Sequence, residues 1–97
     1  MKWQVSIRAQ ARTDLRAAYD WYEGQCSGLG DEFMAAIAEV LLRVEQNPEA
    51  FPFYHRDFHR ALTRRFPYKV FFQIRNDAVV VFRVLHGAQE HKRRLRE

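Results

Sequence analysis

The sequence predicts an α+β fold in the order β-α-α-β-β-β, with a helical hairpin packed on one face of a small, mainly antiparallel sheet. Three observations predict it: an opening segment of period two, two consecutive stretches of helical spacing, and three short apolar runs separated by turn residues. Trp3, Val5 and Ile7 alternate with Lys2, Gln4, Ser6 and Arg8, the pattern of a half-buried strand. From about Ala9 the interval changes, and Leu15, Ala18 and Tyr22 fall on one side of a first helix that ends in the turn residues "GQCSGLG". Phe33, Ala36, Ile37, Val40, Leu41 and Val44 trace the stripe of a second helix. It stops at Asn47-Pro48, because proline lacks the N–H that would continue the ladder. The stretch "PEAFPFYHRD" reads as a loop, and three strands follow at roughly 58–64, 68–75 and 78–86. Asn76-Asp77 suits the tight turn between the last two, since Asn and Asp tolerate positive φ.

A chain of 97 residues is one domain, here 1–97 with a charged tail from about 89 to 97 that is expected to be mobile or to dock only with a partner. There is a single cysteine, Cys26, so no disulfide can form within the chain, and a small buried thiol in the interhelical turn is expected. The opening residues lack the apolar run of a secretion signal, and no stretch is long enough to span a bilayer; a cytoplasmic protein is expected, with no membrane contact. No glycine-rich phosphate loop or paired-cysteine motif is present, and no cofactor is expected. His55 and His59 lack a third ligand, so no metal site is expected either.

The formal charge of +4 conceals a polarised chain. Residues 14–50 carry eight acids against two bases, a net −6 that leaves +10 to the remainder. Much of that positive charge is woven into the strands, as in "RRFPYKVFFQIRND". On a regular strand Val70, Phe72 and Ile74 share the core face, while Lys69, Phe71, Gln73 and Arg75 share the other. The second face mixes an aromatic with basic groups, which suits a partly open contact surface, although many antiparallel sheets simply have one wet face. Cations gathered along one flank, away from the acidic hairpin, would receive an anionic or acidic guest.

The ordered set "A-x-x-DL-x-x-A-x-x-WYE-x-Q-x-x-GLG-x-x-F" (Ala11 through Phe33), "NPEAFP", "RALTRRFPYKVFF" and "VVVFRVLH" resembles the RelE/ParE superfamily of toxins from bacterial type II toxin–antitoxin modules. Its segments are most similar to the ParE-like branch, often labelled plasmid stabilisation proteins. The resemblance implies an α+β toxin that arrests growth and is held in a hetero-oligomer by a cognate antitoxin. It also implies two kinds of activity: ParE-like members poison DNA gyrase without an evident catalytic centre, whereas RelE-like members are metal-independent endoribonucleases that cut mRNA in the ribosome.

Ribonuclease chemistry needs a base, an acid and cations on the phosphate. The catalytic candidates are Arg65, Lys69, Arg83 and His86, with Tyr68 able to stack on a base. By the resemblance, Lys69 stands where ribonuclease members often have an arginine. The chain departs from the family after the last strand, carrying Ala88 and Gln89 where a basic pair commonly follows, so the set is incomplete. Arg83 and His86 also have opposite strand parity, and His86 equally suits a sheet-end histidine bonded to backbone. The preferred expectation is a non-catalytic gyrase inhibitor, with Arg60, Arg64, Arg65, Lys69 and Phe71 receiving the antitoxin; Trp21 is expected to pack the helix hairpin with Tyr19 and Tyr22 or, if exposed, to serve a dimer or antitoxin contact. The alternatives are an mRNA endoribonuclease acting with the ribosome, and a degenerate toxin that only binds its antitoxin.

Overall fold

The computed structural model describes residues 3–88 and 91–95. The chain runs β1 (Gln4–Ile7), α1 (Ala9–Gln25), α2 (Leu29–Gln46), a 3₁₀ turn (Pro48–Ala50), β2 (Phe53–His55), β3 (Phe58–Leu62), β4 (Tyr68–Arg75), β5 (Ala78–His86) and a second 3₁₀ turn (Lys92–Arg94). One five-stranded sheet has the order β1-β5-β4-β3-β2, with β1 parallel to β5 and the other pairs antiparallel. The α+β class, the hairpin and three of the later strands are as the sequence predicts. The short strand β2 was hidden in a stretch read as loop. It pairs with β3 across an Arg56-Asp57 turn in which Arg56 adopts φ 53°, and arginine is not a residue that announces such a turn. Asn76 takes φ 56° in the β4–β5 turn, the role its side chain suggested. No helix among the described residues is long and apolar enough to cross a membrane.

The helices cover one face of the sheet. Ala11, Leu15, Ala18 and Tyr22 of α1 and Phe33, Ile37, Val40 and Val44 of α2 bury themselves against Ala61, Val70, Phe72, Val79, Val81 and Val84. Each of the larger side chains removes enough apolar surface to contribute roughly 1.5–3 kcal/mol. Tyr22, Phe33, Phe66 and Tyr68 form an aromatic cluster with ring centroids 5.0–6.1 Å apart, tying both helices to the start of β4.

Helix α2 has no side-chain cap of its own; Gly28 precedes it in the left-handed region at φ 90°. Its first N–H groups are satisfied from the other helix, where the Glu23 carboxylate accepts from Gly28 N–H and Gly30 N–H, both at 2.9 Å. Gly30 has no room for a side chain, since a Cβ there would lie 2.8 Å from the Tyr19 ring. The "WYE" and "GLG" triplets therefore belong to one joint. Cys26, expected to be buried, is exposed in this connection, because the turn faces outward and its neighbours are small or polar.

The opposite face is closed as well, which corrects the expectation of an open contact face at Phe71. Phe58, Phe71, Phe82, Leu85 and Leu95 are buried in a second cluster, with Tyr54 and Val80 packed on it. Two features produce it. The β4–β5 register shifts between Phe71 and Phe72, where β5 carries an extra residue, Phe82; Val81 and Val84, three apart, then share the helix-covered face while Phe82 and Leu85 share the other. Residues 91–95, expected to be mobile or to await a partner, fold back so that His91 and Leu95 are buried, with the His91 ring 5.1 Å from that of Phe71. The remaining expectations for the tail, at Gln89, Glu90, Arg96 and Glu97, lie outside the described residues.

β1 pairs with β5 only as far as Val81. Arg8 N–H then reaches Val81 C=O at 2.9 Å, and α1 begins. Beyond that point the β5 edge is closed by Asp14. Its carboxylate accepts from Val84 N–H at 2.9 Å and from the Arg83 guanidinium at 2.7 and 2.9 Å, with the two side chains only 11% and 14% exposed. The Asp14 hydrogen bond holds the Arg83 proton more tightly than usual, outweighing the opposing effect of burial.

Replacing Asp14 by Ala leaves a guanidinium and a backbone N–H without their acceptor in a largely enclosed place. The expected cost is about 2–4 kcal/mol, read as a drop in Tm of roughly 10–25 °C by circular dichroism; an unchanged Tm would show the pair to be ornamental. Glu23→Ala should cost about 1–2 kcal/mol through the uncapped start of α2, and Glu23→Gln, which keeps an acceptor oxygen, should recover part of it in the same thermal melts.

Candidate functional site

The cations anticipated on one flank are in good part tied to the acidic helices. Arg65 pairs with Glu32 at 2.5 Å and lies over the Phe66 ring, and its φ of 76° turns the β3–β4 loop toward α2. Arg64 approaches Glu39 at 3.9 Å, and Arg43 holds the same carboxylate at 2.8 Å. Arg83 is held by Asp14. The charge polarity along the sequence is thus partly cancelled across the fold, and no uniform basic flank results. These exposed helix-to-loop pairs are worth less than about 1 kcal/mol each.

Arg60 and Lys69 lie in the outer-face register of the sheet: Arg60 pairs with Phe71 across β3 and β4, and Lys69 sits between Leu62 and Leu85. The Arg60 guanidinium rests 5.3 Å from the Tyr54 ring centroid. Phe71 itself is fully buried beneath this layer.

His86 ends β5 opposite Tyr68, in the register of the helix-covered face, and the two rings meet edge to face at 5.3 Å. Ala88 N–H donates to His86 Nδ1 at 3.0 Å, and His91 Nε2 donates to the His86 carbonyl at 2.8 Å. The histidine is built into the backbone of the strand's end, the simpler of its two expected roles. The register from Phe71↔Arg83 to Tyr68↔His86 is unbroken, so Arg83 and His86 keep the opposite parity read from the sequence. Lys69 and His86 likewise face away from each other.

Tyr68 and His86 form one wall of an open groove of about 540 Å³ between α1 and the ends of β4 and β5. Trp21, Tyr22 and Asp14 form the α1 wall, with Pro67 at the rim. Trp21 is 59% exposed, although Tyr22 beside it is buried. Burial raises the Tyr22 hydroxyl above its ordinary pKa; it does the same to Tyr68, helped by nearby Tyr22 and Asp14, so both remain neutral donors at physiological pH. The groove is aromatic and nearly uncharged, with Asp14 already engaged, which suits an apolar or ring-bearing guest. Sequence reasoning found Tyr68, His86 and Trp21 but not the groove. Asp14 was visible only as part of a motif, and its wall position depends on β1 ending at Ile7.

Among the described residues, then, the four catalytic candidates do not converge. His59, a conceivable metal ligand, is buried on the Phe72 ring and its Nδ1 donates to the Phe51 carbonyl. No group of three or more His, Cys, Asp or Glu is gathered among the described residues to hold a metal ion.

Comparison with known proteins places this architecture. It is similar to a chain of the chromosomal ParDE toxin–antitoxin system of P. aeruginosa, with a TM-score of 0.79 at 17% identity over 88% of this chain and 96% of that one. A chain of the toxin–antitoxin complex RelBE2 from Mycobacterium tuberculosis superposes with a TM-score of 0.64 at 22% identity, covering 89% of this chain and 99% of that one. A double mutant of the E. coli toxin RelE in the free state gives 0.63 at 17% identity, over 91% and 86% of the two chains. At such identities the likeness shows the fold alone. No curated protein matches the sequence. The sequence model of the ParE toxin of the type II toxin–antitoxin system parDE matches residues 5–91, nearly the whole chain, and the protein belongs to that family.

Proposed function

We propose that this toxin acts by binding rather than by cleaving RNA, that its target is DNA gyrase, and that a cognate antitoxin neutralises it. One observation carries the preference for binding: the residues a ribonuclease would need are not gathered at one place. Arg83 gives two of its donors to Asp14, Arg65 pairs with Glu32, and Lys69 and His86 occupy opposite faces of the sheet. Cleavage by a 2′-hydroxyl requires acid, base and cation within reach of one phosphate, and these four do not meet. Membership of the ParE family supports the choice of gyrase over the ribosome as the target proposed for this chain.

An antitoxin partner is supported by the similar solved structures, which come from a ParDE system and a RelBE2 complex. For this chain its landing points are Arg60 and Lys69 on the outer face, with Arg64 and Arg65 in the adjoining loop, where acidic residues would exchange with Glu39 and Glu32. Phe71, lying beneath, supports that surface without touching a guest. The aromatic groove holding Trp21 offers a separate apolar anchor.

The purified protein should block gyrase supercoiling or accumulate cleaved DNA while transcripts in a translating extract stay whole. His86→Ala and Lys69→Ala should leave gyrase inhibition within about threefold of the parent. Ribosome-dependent transcript cleavage lost in either variant would replace this reading with the endoribonuclease. Neither effect, together with tight capture of the product of the adjacent small reading frame, would mark a degenerate toxin. Antitoxin association should weaken as salt rises, because Arg64 and Arg65 are exposed and Arg60 and Lys69 only half-buried.

A further inference from the structure

At the closed end of β5, on the far side of the Asp14 pair from the aromatic groove, a second groove of about 400 Å³ is lined by Arg8, Gln10, Phe82, Arg83, Arg93 and Arg94. Four of these six side chains are guanidinium groups. Arg8 sits 4.6 Å from the Phe82 ring centroid, which fixes its position laterally without using its hydrogen-bond donors. Arg83 is held rigidly by Asp14 through Nε and Nη2, leaving Nη1 uninvolved in that pair. Arg93 and Arg94 are exposed on the 3₁₀ turn that His91 and Leu95 anchor to the sheet. Arg8, Arg93 and Arg94 form no ion pair among the described residues, and the first turn of α1 contains no acid to offset them. Arg16, Arg43, Arg64, Arg65 and Arg83 meet carboxylates; among the described residues the other three arginines of this groove do not.

We propose that this arginine groove binds the phosphodiester backbone of duplex DNA. Guanidinium groups match phosphate oxygens with paired, charge-assisted hydrogen bonds, and the two already held by stacking and by an ion pair, Arg8 and Arg83, lose little freedom on engaging them. The choice of a duplex over a single strand comes from the one aromatic present. Single strands are held by stacking bases on exposed rings, whereas Phe82 is 4% exposed and covered by Arg8. The groove therefore offers charge without a stacking platform, which fits a backbone whose bases are already paired and gives binding without sequence preference. The inference goes beyond gyrase inhibition, since it concerns DNA contacted by this chain alone.

The test uses the full chain and a fluorescent duplex of random sequence, with anisotropy measured as salt is raised and no gyrase present. Micromolar binding is expected at about 50 mM salt and should weaken steeply toward about 200 mM. Arg93→Ala/Arg94→Ala should weaken binding about tenfold and reduce the salt slope by nearly 2, because each lost phosphate contact removes about 0.9 from it. Both side chains are exposed and neither anchors the turn, so thermal melts should match the parent. Arg94→Ala should weaken binding more than Arg16→Ala, which removes the same charge from a surface site paired with Asp20. Equal losses in those two variants would reduce the effect to net charge and overturn the proposal. So would absence of duplex binding, an unchanged salt slope in the double variant, or stronger competition by single-stranded DNA or poly-glutamate than by unlabelled duplex.

Discussion

The carboxylate of Asp14 closes an edge that the strand order would otherwise leave open. β1 is four residues long and β5 nine, so a parallel pair between them must run out before β5 does. An unpaired strand edge invites other chains and leaves backbone donors unsatisfied. Starting α1 directly after β1 brings Asp14 alongside Val84 N–H and Arg83, and one acidic side chain serves backbone and guanidinium together. The two grooves of the molecule lie on either side of this contact: the aromatic one takes Asp14 as a wall, the arginine one takes Arg83.

The same economy is seen at Glu23. An acid of α1 supplies the acceptor that α2 lacks at its start, and it can do so only because Gly30 lets the helices approach at Tyr19. Both acids belong to the quoted pattern by which the sequence resembles its family, and both are hydrogen-bonded within the fold. What these two acids form is the joint between two helices and the seam between a helix and a strand. Chemistry that differs between relatives can then be carried by other positions on an unchanged frame.

Much of the fold was legible because hydrophobic period is a local property. The stripe of α2, the alternation of β1 and the turn at Asn76 each follow from a few adjacent residues. What was not legible depended on distant contacts. β2 exists because β3 offers it a partner, and its turn uses Arg56 at positive φ. The parity argument at Phe71 identified the outer face correctly but not its cover, because Leu95 and His91 return to it from twenty or more residues away. Charge was the least transferable reading. A segment sum cannot show that Arg65 will find Glu32 or that Arg83 will find Asp14, and those pairings turn an apparent basic flank into a few separate clusters.

The parallel pairing of β1 with β5 also orders events in time. β1 hydrogen-bonds to residues 78–81, so during synthesis it waits with no sheet partner until those residues have been made. The hairpin, β3 and β4 need no residue beyond Arg75 to meet one another, whereas the seam at Val84 and the cover supplied by Leu95 depend on the last part of the sequence. Such long sequence separation slows closure relative to local pairing. Until residues 78–95 have been made, therefore, the chain lacks the partner of β1, the seam at Val84 and the cover over Phe71, and its finished surfaces do not exist.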